Sequence, residues 1–312
     1  MAQTKRRPTR FFKNYCDWQW NGYAFVADGR TERADTELTE RLKWLMIRHP
    51  RSEIWADTPK KTRQVIYLDV DGAVDETEKI IKQKKVSEAN MFKALERTLE
   101  LKLDDICENV LSELANGDKT IIWTLTRESV EIMTSALEKA LSQKSVSAMV
   151  RNRRVRLWAT HGDASIKARN DVCREFREHD GAGVIVATMN SLPESVSLAG
   201  AFTEHYAQLH FQAGPMVQSE NRPFLMGTEK LHIMYYIAKG TIDERMITLL
   251  IPRIETQAAL VDKEDAADIS QSLRSHIKEE SVEDFFARLT ANIPEDGEVD
   301  RSDGAADLDV LG

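Results

Sequence analysis

Four stretches decide how this chain is read: HGDASIKARNDVCREF (161–176), GVIVATMNSLPESVSLAGA (183–201), QLHFQAGPMVQSENRPFLMGT (208–228) and LHIMYYIAKGTIDERMITLL (231–250). Apolar runs of strand length, 183–188 and 231–237, alternate with polar loops and helix-like segments. That alternation predicts parallel strands joined by crossover helices. Ligands of such sheets sit beyond the carboxyl ends of the strands. Thr188 and Asn190 follow one strand, and Gln218 to Arg222 lie further on, so they are candidates for phosphate contact.

Working outward, KTIIWT (119–124) and RLWAT (156–160) read as two more strands. Thr126 precedes Arg127 and Glu128 and is placed to cap a helix, and Ser165 is placed the same way. Arg169, four residues after Ser165, would then lie in the first turns, bracing the loop or reaching phosphate. Residues 75–117 are rich in Lys, Glu and Leu without proline, which predicts helix, and the pattern after residue 250 is helical to about Leu289. Thr36 to Arg48 has helical spacing, with Leu38, Leu42, Leu45 and Met46 on one face.

The order and spacing of these blocks resemble the second RecA-like lobe of superfamily-two helicases. The nearest likeness is to the annealing-helicase branch of the Swi/Snf-type ATPases. HGDASIKAR resembles the block before the fifth helicase motif, VIVATMNSLPESVSLAGA the fifth motif, QSENR the start of the sixth, and GTIDERM the closing helix signal. MIRHPRSEIWADTPKKTRQVIYLDV (46–70) resembles the stretch linking the two lobes, with His49 where a second arginine is usual. The resemblance covers about Phe11 to Asp262.

It implies an α/β fold: a RecA-like parallel sheet with helices on both faces, plus helical N-terminal and C-terminal extensions. The expected layout is an aromatic and basic docking region over 1–62, the lobe over 63–262, a helical extension over 263–292 and an acidic disordered tail over 293–312. It also implies that Gln218, Glu220 and Arg222 face ATP with Ser195 nearby, and that Thr126, Arg127, Arg169, Thr188 and Asn190 track DNA. Two departures stand out. Ser195 replaces a glycine of the fifth motif, and Leu225 occupies the place of the sixth motif's second arginine. A planar guanidinium suits the charge developing on a transferred phosphoryl group.

The 312 residues contain no GxxxxGK[ST] and no Asp-Glu pair on a strand ahead of the lobe. ATP and Mg2+ are therefore expected to be bound mainly by a separate first-lobe subunit, a split that suits a compact genome such as a phage's. DNA is the other expected partner. A degenerate, non-catalytic binding or regulatory module is the alternative, favoured by Leu225 and the altered glycine loop.

A third reading starts from VIYLDVDGAV (65–74). Asp69 and Asp71 after an apolar strand resemble the nucleophile loop of haloacid-dehalogenase phosphatases, with Thr124 or Thr126 and Asp163 as further candidates. The acid expected soon after Asp163 is missing; the next is Asp171.

Composition bounds the rest. Net charge is -8, against tight autonomous DNA binding, although KRRPTR (5–10) and RNRRVR (151–156) are basic. Aromatics crowd residues 1–60, fit for packing, docking or base stacking. Cys16, Cys107 and Cys173 lack metal spacing and fit a reducing compartment, and His161 has no second ligand at metal spacing. No apolar run has membrane-spanning length and no signal peptide is evident, so a cytoplasmic protein without membrane contact is expected. Asp307 to Leu311 faintly resembles a sliding-clamp-binding peptide without its usual glutamine. The isolated chain is expected to show negligible ATPase; robust DNA-stimulated phosphate release by contaminant-free protein would count against this.

Overall fold

A computed structural model describes residues 14–20, 25–45, 60–70, 88–150, 152–192, 197–223, 230–260 and 265–276. The central sheet is built because consecutive residues of its strands are apolar on both faces. In β4 (Lys119–Thr124), Ile121 and Trp123 point to one side and Ile122 to the other, all fully buried. The same split runs through β6 (Gly183–Thr188), with Ile185 and Ala187 opposite Val184 and Val186. A strand buried on both faces needs cover on both, which helices supply.

Six strands form the sheet in the order β3-β8-β7-β4-β6-β5, and every neighbouring pair is parallel. The outer members are β3 (Lys60–Leu68) and β5 (Arg156–Thr160); β7 (Thr203–Tyr206) and β8 (Lys230–Ala238) complete it. One face carries α2 (Glu88–Asn116), α3 (Arg127–Ser142) and α4 (Lys144–Val150), through Leu99, Ile106, Val130, Met133, Leu137 and Val150. The other carries α5 (Ile166–Glu178), α6 (Ala213–Ser219), α7 (Ile242–Leu260) and α8 (Asp265–His276). The expected parallel α/β sheet with helices on both faces is present. Upstream, β1 (Cys16–Trp20) and β2 (Phe25–Arg30) form an antiparallel pair that the sequence reading did not propose.

A short π turn (Ala34–Leu38) then runs into α1 (Thr39–Leu45). The chain is helical to Leu45, with Leu38 and Leu42 half-buried and Leu45 83% exposed, so that face is not a core stripe; Met46 to Arg48 lie outside the described residues. Strand β3 starts at Lys60, and α8 sends Ala266, Ile269 and Leu273 into the core. The basic N-terminus, Asp71, residues 75–87, Ser195, Leu225 and the acidic tail lie outside the described residues.

Local signals set the helix starts. The Thr126 hydroxyl accepts from the Ser129 amide at 3.0 Å, and Ser165 Oγ accepts from the Ala168 amide at 3.2 Å. Each satisfies a first-turn N–H that the helix leaves unpaired. At the start of β6 a side chain would collide: a Cβ on Gly183 would lie 2.6 Å from the Trp158 ring.

One buried cation ties the layers together. Lys102 of α2 is fully buried, and its Nζ donates to Ala207 O at 2.5 Å, Tyr236 O at 3.0 Å and Asp243 Oδ2 at 2.7 Å. Asp243 also accepts from the Ala238 amide at 3.1 Å. Removing one member of a buried pair leaves the other charge desolvated and uncompensated. Asp243→Ala is expected to cost about 3–5 kcal/mol of unfolding free energy. Adding Lys102→Met should recover part of it, with urea denaturation as the measurement.

Candidate functional site

The carboxyl edge of the sheet carries most of the residues singled out by sequence. Thr126 follows β4, but its hydroxyl is committed to Glu96 Oε1 at 3.0 Å as well as to the Ser129 cap. Arg127 is exposed, 2.9 Å from Glu131 and 3.6 Å from Asp163. The loop after β5 brings in His161 and Asp163, with His161 Nδ1 3.9 Å from Asp163 Oδ2.

After β6 the chain turns sharply. Ser191 bonds Thr188 O through its amide at 3.0 Å and its hydroxyl at 2.7 Å. Thr188 is buried and Asn190, at the tip, is exposed. Two arginines hold the loop that follows. Arg169, one turn into α5, donates to Ser191 O. Arg222 Nη2 donates to Leu192 O at 3.3 Å. The far side of the loop returns to the same residue, with Arg222 O accepting from the Leu198 amide at 2.9 Å and from Ser197 Oγ at 3.4 Å. Three sequence blocks, far apart in the chain, therefore meet at one loop. Arg169 braces it, as the cap at Ser165 implies, and its Nε is buried with no hydrogen-bond partner.

Gln218, Glu220 and Arg222 sit in the turn closing α6, and the structure separates them. Gln218 is exposed, Arg222 is 8% exposed against the loop, and Glu220 is fully buried. Glu220 accepts from Arg63 Nη2 at 2.7 Å and Nε at 3.2 Å, and from the Tyr235 hydroxyl. Lys61 Nζ stands 3.7 Å away and donates to Asn221 Oδ1 at 2.9 Å. Asp268 of α8 reaches the far side of Arg63 at 3.7 Å. A carboxylate at zero exposure is stable only when paired and hydrogen-bonded, which fixes its direction toward β3. Sequence reading missed Arg63 and Lys61. The available signal was KKTR opening an apolar strand, which places cations at its entry.

Beside this cluster lies Glu204 of β7, also fully buried, accepting from Trp123 Nε1 at 2.8 Å. Burial pushes its carboxyl well above the usual carboxylate range; the Trp123 bond opposes the shift and the nearby Glu220 charge adds to it. His210, in the loop after β7, is pulled down to about 4 by burial, against the opposing Gln212 amide bond. It touches Asn190, its Nε2 3.1 Å from the side-chain amide.

Asp69, at the end of β3, is exposed and paired with Lys239 Nζ at 2.7 Å. Strand β4, which carries Thr124, lies three strands away in the sheet, about 14 Å at ordinary spacing. The phosphatase candidates are not brought together. Among the described residues no group of three or more His, Cys, Asp and Glu is placed to hold a metal, and no helix is long and apolar enough to cross a membrane.

Comparison with known proteins then fixes the relationship. Over 257 residues, 78% of this chain, it is 23% identical to a Caenorhabditis elegans SWI/SNF-related matrix-associated actin-dependent regulator of chromatin subfamily A-like protein 1 homolog. It is 22% identical over 327 residues to the Xenopus laevis protein of the same description, and 23% identical over 255 residues to the human DNA annealing helicase and endonuclease ZRANB3. The chain is thus similar in sequence to Swi/Snf-type annealing helicases over most of its length. It spans about a third of the length of these Swi/Snf relatives, 36% of the worm protein and 32% of the frog protein. These three are animal proteins, not phage ones. No protein-family model matches. Among solved structures, the C-terminal part of the Fun30 ATPase domain superposes with a TM-score of 0.45 at 12% identity, covering 70% of this chain and all of that one. The Sulfolobus solfataricus SWI2/SNF2 ATPase core in complex with dsDNA also superposes at 0.45, with 14% identity over 80% of this chain and 55% of that one.

The buried acid gives a pH test with a definite sign. Above the ordinary carboxylate range the unfolded chain has released the Glu204 proton while the folded chain still holds it. The native state binds more protons, so stability falls as pH rises from that range toward the raised folded value. Glu204→Gln, which mimics the protonated form, is expected to flatten this decline and to be more stable than wild type at pH 8. Equal pH slopes in chemical denaturation would contradict the assignment.

Proposed function

We propose that the chain is the second motor lobe of a DNA-dependent ATPase that translocates on or remodels DNA in replication, recombination or repair. The first lobe, with its phosphate loop, is supplied by a separate subunit. The observation that carries this reading is the convergence of Arg169 and Arg222 on the carbonyls of Ser191 and Leu192. Those are the arginines of two matched motif blocks, and the loop they hold is the third. The kinship with annealing helicases supports the DNA-dependent part of the proposal.

The residues present fit one half of an ATP site. Arg222 brings a guanidinium, 8% exposed, to the turn and Gln218 brings an exposed polar side chain. ATP hydrolysis would supply the energy for movement, and magnesium falls to the first-lobe subunit. Within this chain, Arg222 is the phosphate-facing cation. Glu220 fixes the turn from inside, and Ser195, outside the described residues, is assigned to the ATP side by its place in the fifth motif. Thr188, Asn190, Arg127, Arg169 and Thr126 form the DNA side, Thr126 and Arg169 through the loops they hold. The lobe is assigned to 63–262, with 1–62 as docking region and 263–292 as extension. The acidic segment from 293, outside the described residues, is assigned a weak sliding-clamp contact, in a cytoplasmic setting.

A second reading is favoured by a specific observation. Arg222 is mostly buried and already bonded to Leu192 O, and Leu225 stands where a second arginine is expected. A lobe used only for binding would look like this. The two readings part at steady-state ATPase of the complex with its first-lobe subunit at saturating DNA. If the lobe is a motor, Arg222→Ala is expected to lower turnover by ~10³-fold or more, with folding and docking intact. Arg222→Lys should also be impaired, since an ammonium cannot replace a planar fork. Leu225→Arg should be neutral or harmful if the partner already supplies a finger. Wild-type turnover in Arg222→Ala would establish the scaffold reading.

A further inference from the structure

His210 lies in the loop between β7 and α6 at 3% exposure, its ring stacked on Phe211 with centroids 4.6 Å apart and planes 21° from parallel. Both ring nitrogens are engaged. Nδ1 lies 2.9 Å from the backbone nitrogen of Gln212, and the atom placed 3.1 Å from Nε2 is Asn190 Nδ2. A backbone N–H can only donate, so Nδ1 accepts. Burial lowers the ring's proton affinity to about 4, so at neutral pH it carries one proton, and that proton is on Nε2. An Nε2–H needs an acceptor. The side-chain amide of Asn190 offers one, Oδ1, and its nitrogen and oxygen exchange places by a half-turn about the last torsion. Donor matching therefore turns Oδ1 toward His210 and the NH2 group away from it. Asn190 is exposed, so that group faces outward at the carboxyl edge of the sheet.

The rest of the turn is already fixed. Ser191 bonds Thr188 O twice, and Arg169 holds Ser191 O. The orientation of the Asn190 amide is the freedom left at the tip, and His210 removes it. We infer that His210, held as the Nε2–H tautomer by the Gln212 amide, is a positioning residue that presents the Asn190 NH2 as a donor to a DNA backbone phosphate. This rests on the DNA reading above. An outward NH2 suits an anionic oxygen and disfavours a metal ion or an ammonium, which want the oxygen that His210 has taken. The nearby Arg169 cation adds charge of the right sign. Backbone phosphate contacts carry no sequence information, so this contact would position the lobe rather than select a site.

Two measurements on the full chain test the inference. In protein labelled with 15N-histidine, long-range proton–nitrogen correlation spectra at neutral pH should show His210 with a protonated Nε2 and a bare, accepting Nδ1. The resonances are assigned by their loss in His210→Phe, or from the neighbours of Asn190→Asp if that variant does not fold. A protonated Nδ1 or an imidazolium would overturn the proposal. Fluorescence anisotropy with a labelled duplex gives the second readout. Asn190→Ala should weaken binding about tenfold, and Asn190→Asp more, as expected for losing a hydrogen bond to a charged group and then adding repulsion. His210→Phe should weaken binding about as much as Asn190→Ala. His210→Gln, which can accept from Gln212 and donate to Asn190, should restore most of it. Wild-type affinity in His210→Phe or Asn190→Ala would refute the positioning role. Absence of duplex binding by the wild-type chain, with the tautomer as stated, would instead remove the DNA reading and the phosphate contact with it.

Discussion

The Glu220 carboxylate is the constraint on which the functional edge depends. It has no contact with water, so the cost of taking its charge out of solvent must be met by Arg63, Lys61 and Tyr235. Such a group has little freedom, because any rotation that loses the forked Arg63 bonds leaves two desolvated charges. Once Glu220 points toward β3, the geometry of a tight turn sends its neighbours elsewhere. Gln218 faces solvent and Arg222 falls against Leu192 O. The direction of the arginine is thus decided by a carboxylate two residues away.

This arrangement also ties β3 into the sheet, although 46–70 resembles the stretch that links the two lobes in the family. The strand pairs along the whole length of β8, and two of its cations, Lys61 and Arg63, reach Asn221 and Glu220. The strand contributes packing at one end and charge at the other. Asp268 adds α8 to the same cluster. Lys102 does for the opposite layer what Arg63 does for this one, joining α2 to the ends of β7 and β8 through carbonyls and Asp243. Among the described residues, both helical layers are thus fastened to the sheet through buried cations.

Much of the architecture was legible because it rests on local rules. The caps at Thr126 and Ser165, the apolar strands around Ile121 and Ile185, and the bracing role of Arg169 all follow from neighbours within a few residues. Strand β7 was not legible. Thr203-Glu-His-Tyr206 has the composition of a loop, yet all four residues are buried at the centre of the sheet. Its polar groups find partners only through the tertiary fold: Glu204 with Trp123, and His205 with Tyr236 and Glu113. The same holds for the site. Spacing put Gln218, Glu220 and Arg222 together, but two-residue spacing in a turn does not place side chains on one side, and the cation that separates them lies 157 residues away. His210 gave no sequence signal, since a lone histidine after a short polar strand has no pattern to betray it.

The pairing of β3 with β8 has a consequence for synthesis. Lys60 lies opposite Lys230, so 230 − 60 = 170 residues must be made before the edge strand meets its partner. At roughly 5–20 residues per second, that is a wait on the order of ten seconds or more. Throughout it, the apolar run Val65, Ile66, Tyr67 and Leu68 is without the strand it pairs with in the fold. Exposed edges of this kind recruit other chains. Lys60, Lys61 and Arg63 at its head supply like charge that keeps identical nascent strands apart. The cations that later fix the site would then serve first as guards against aggregation on the ribosome.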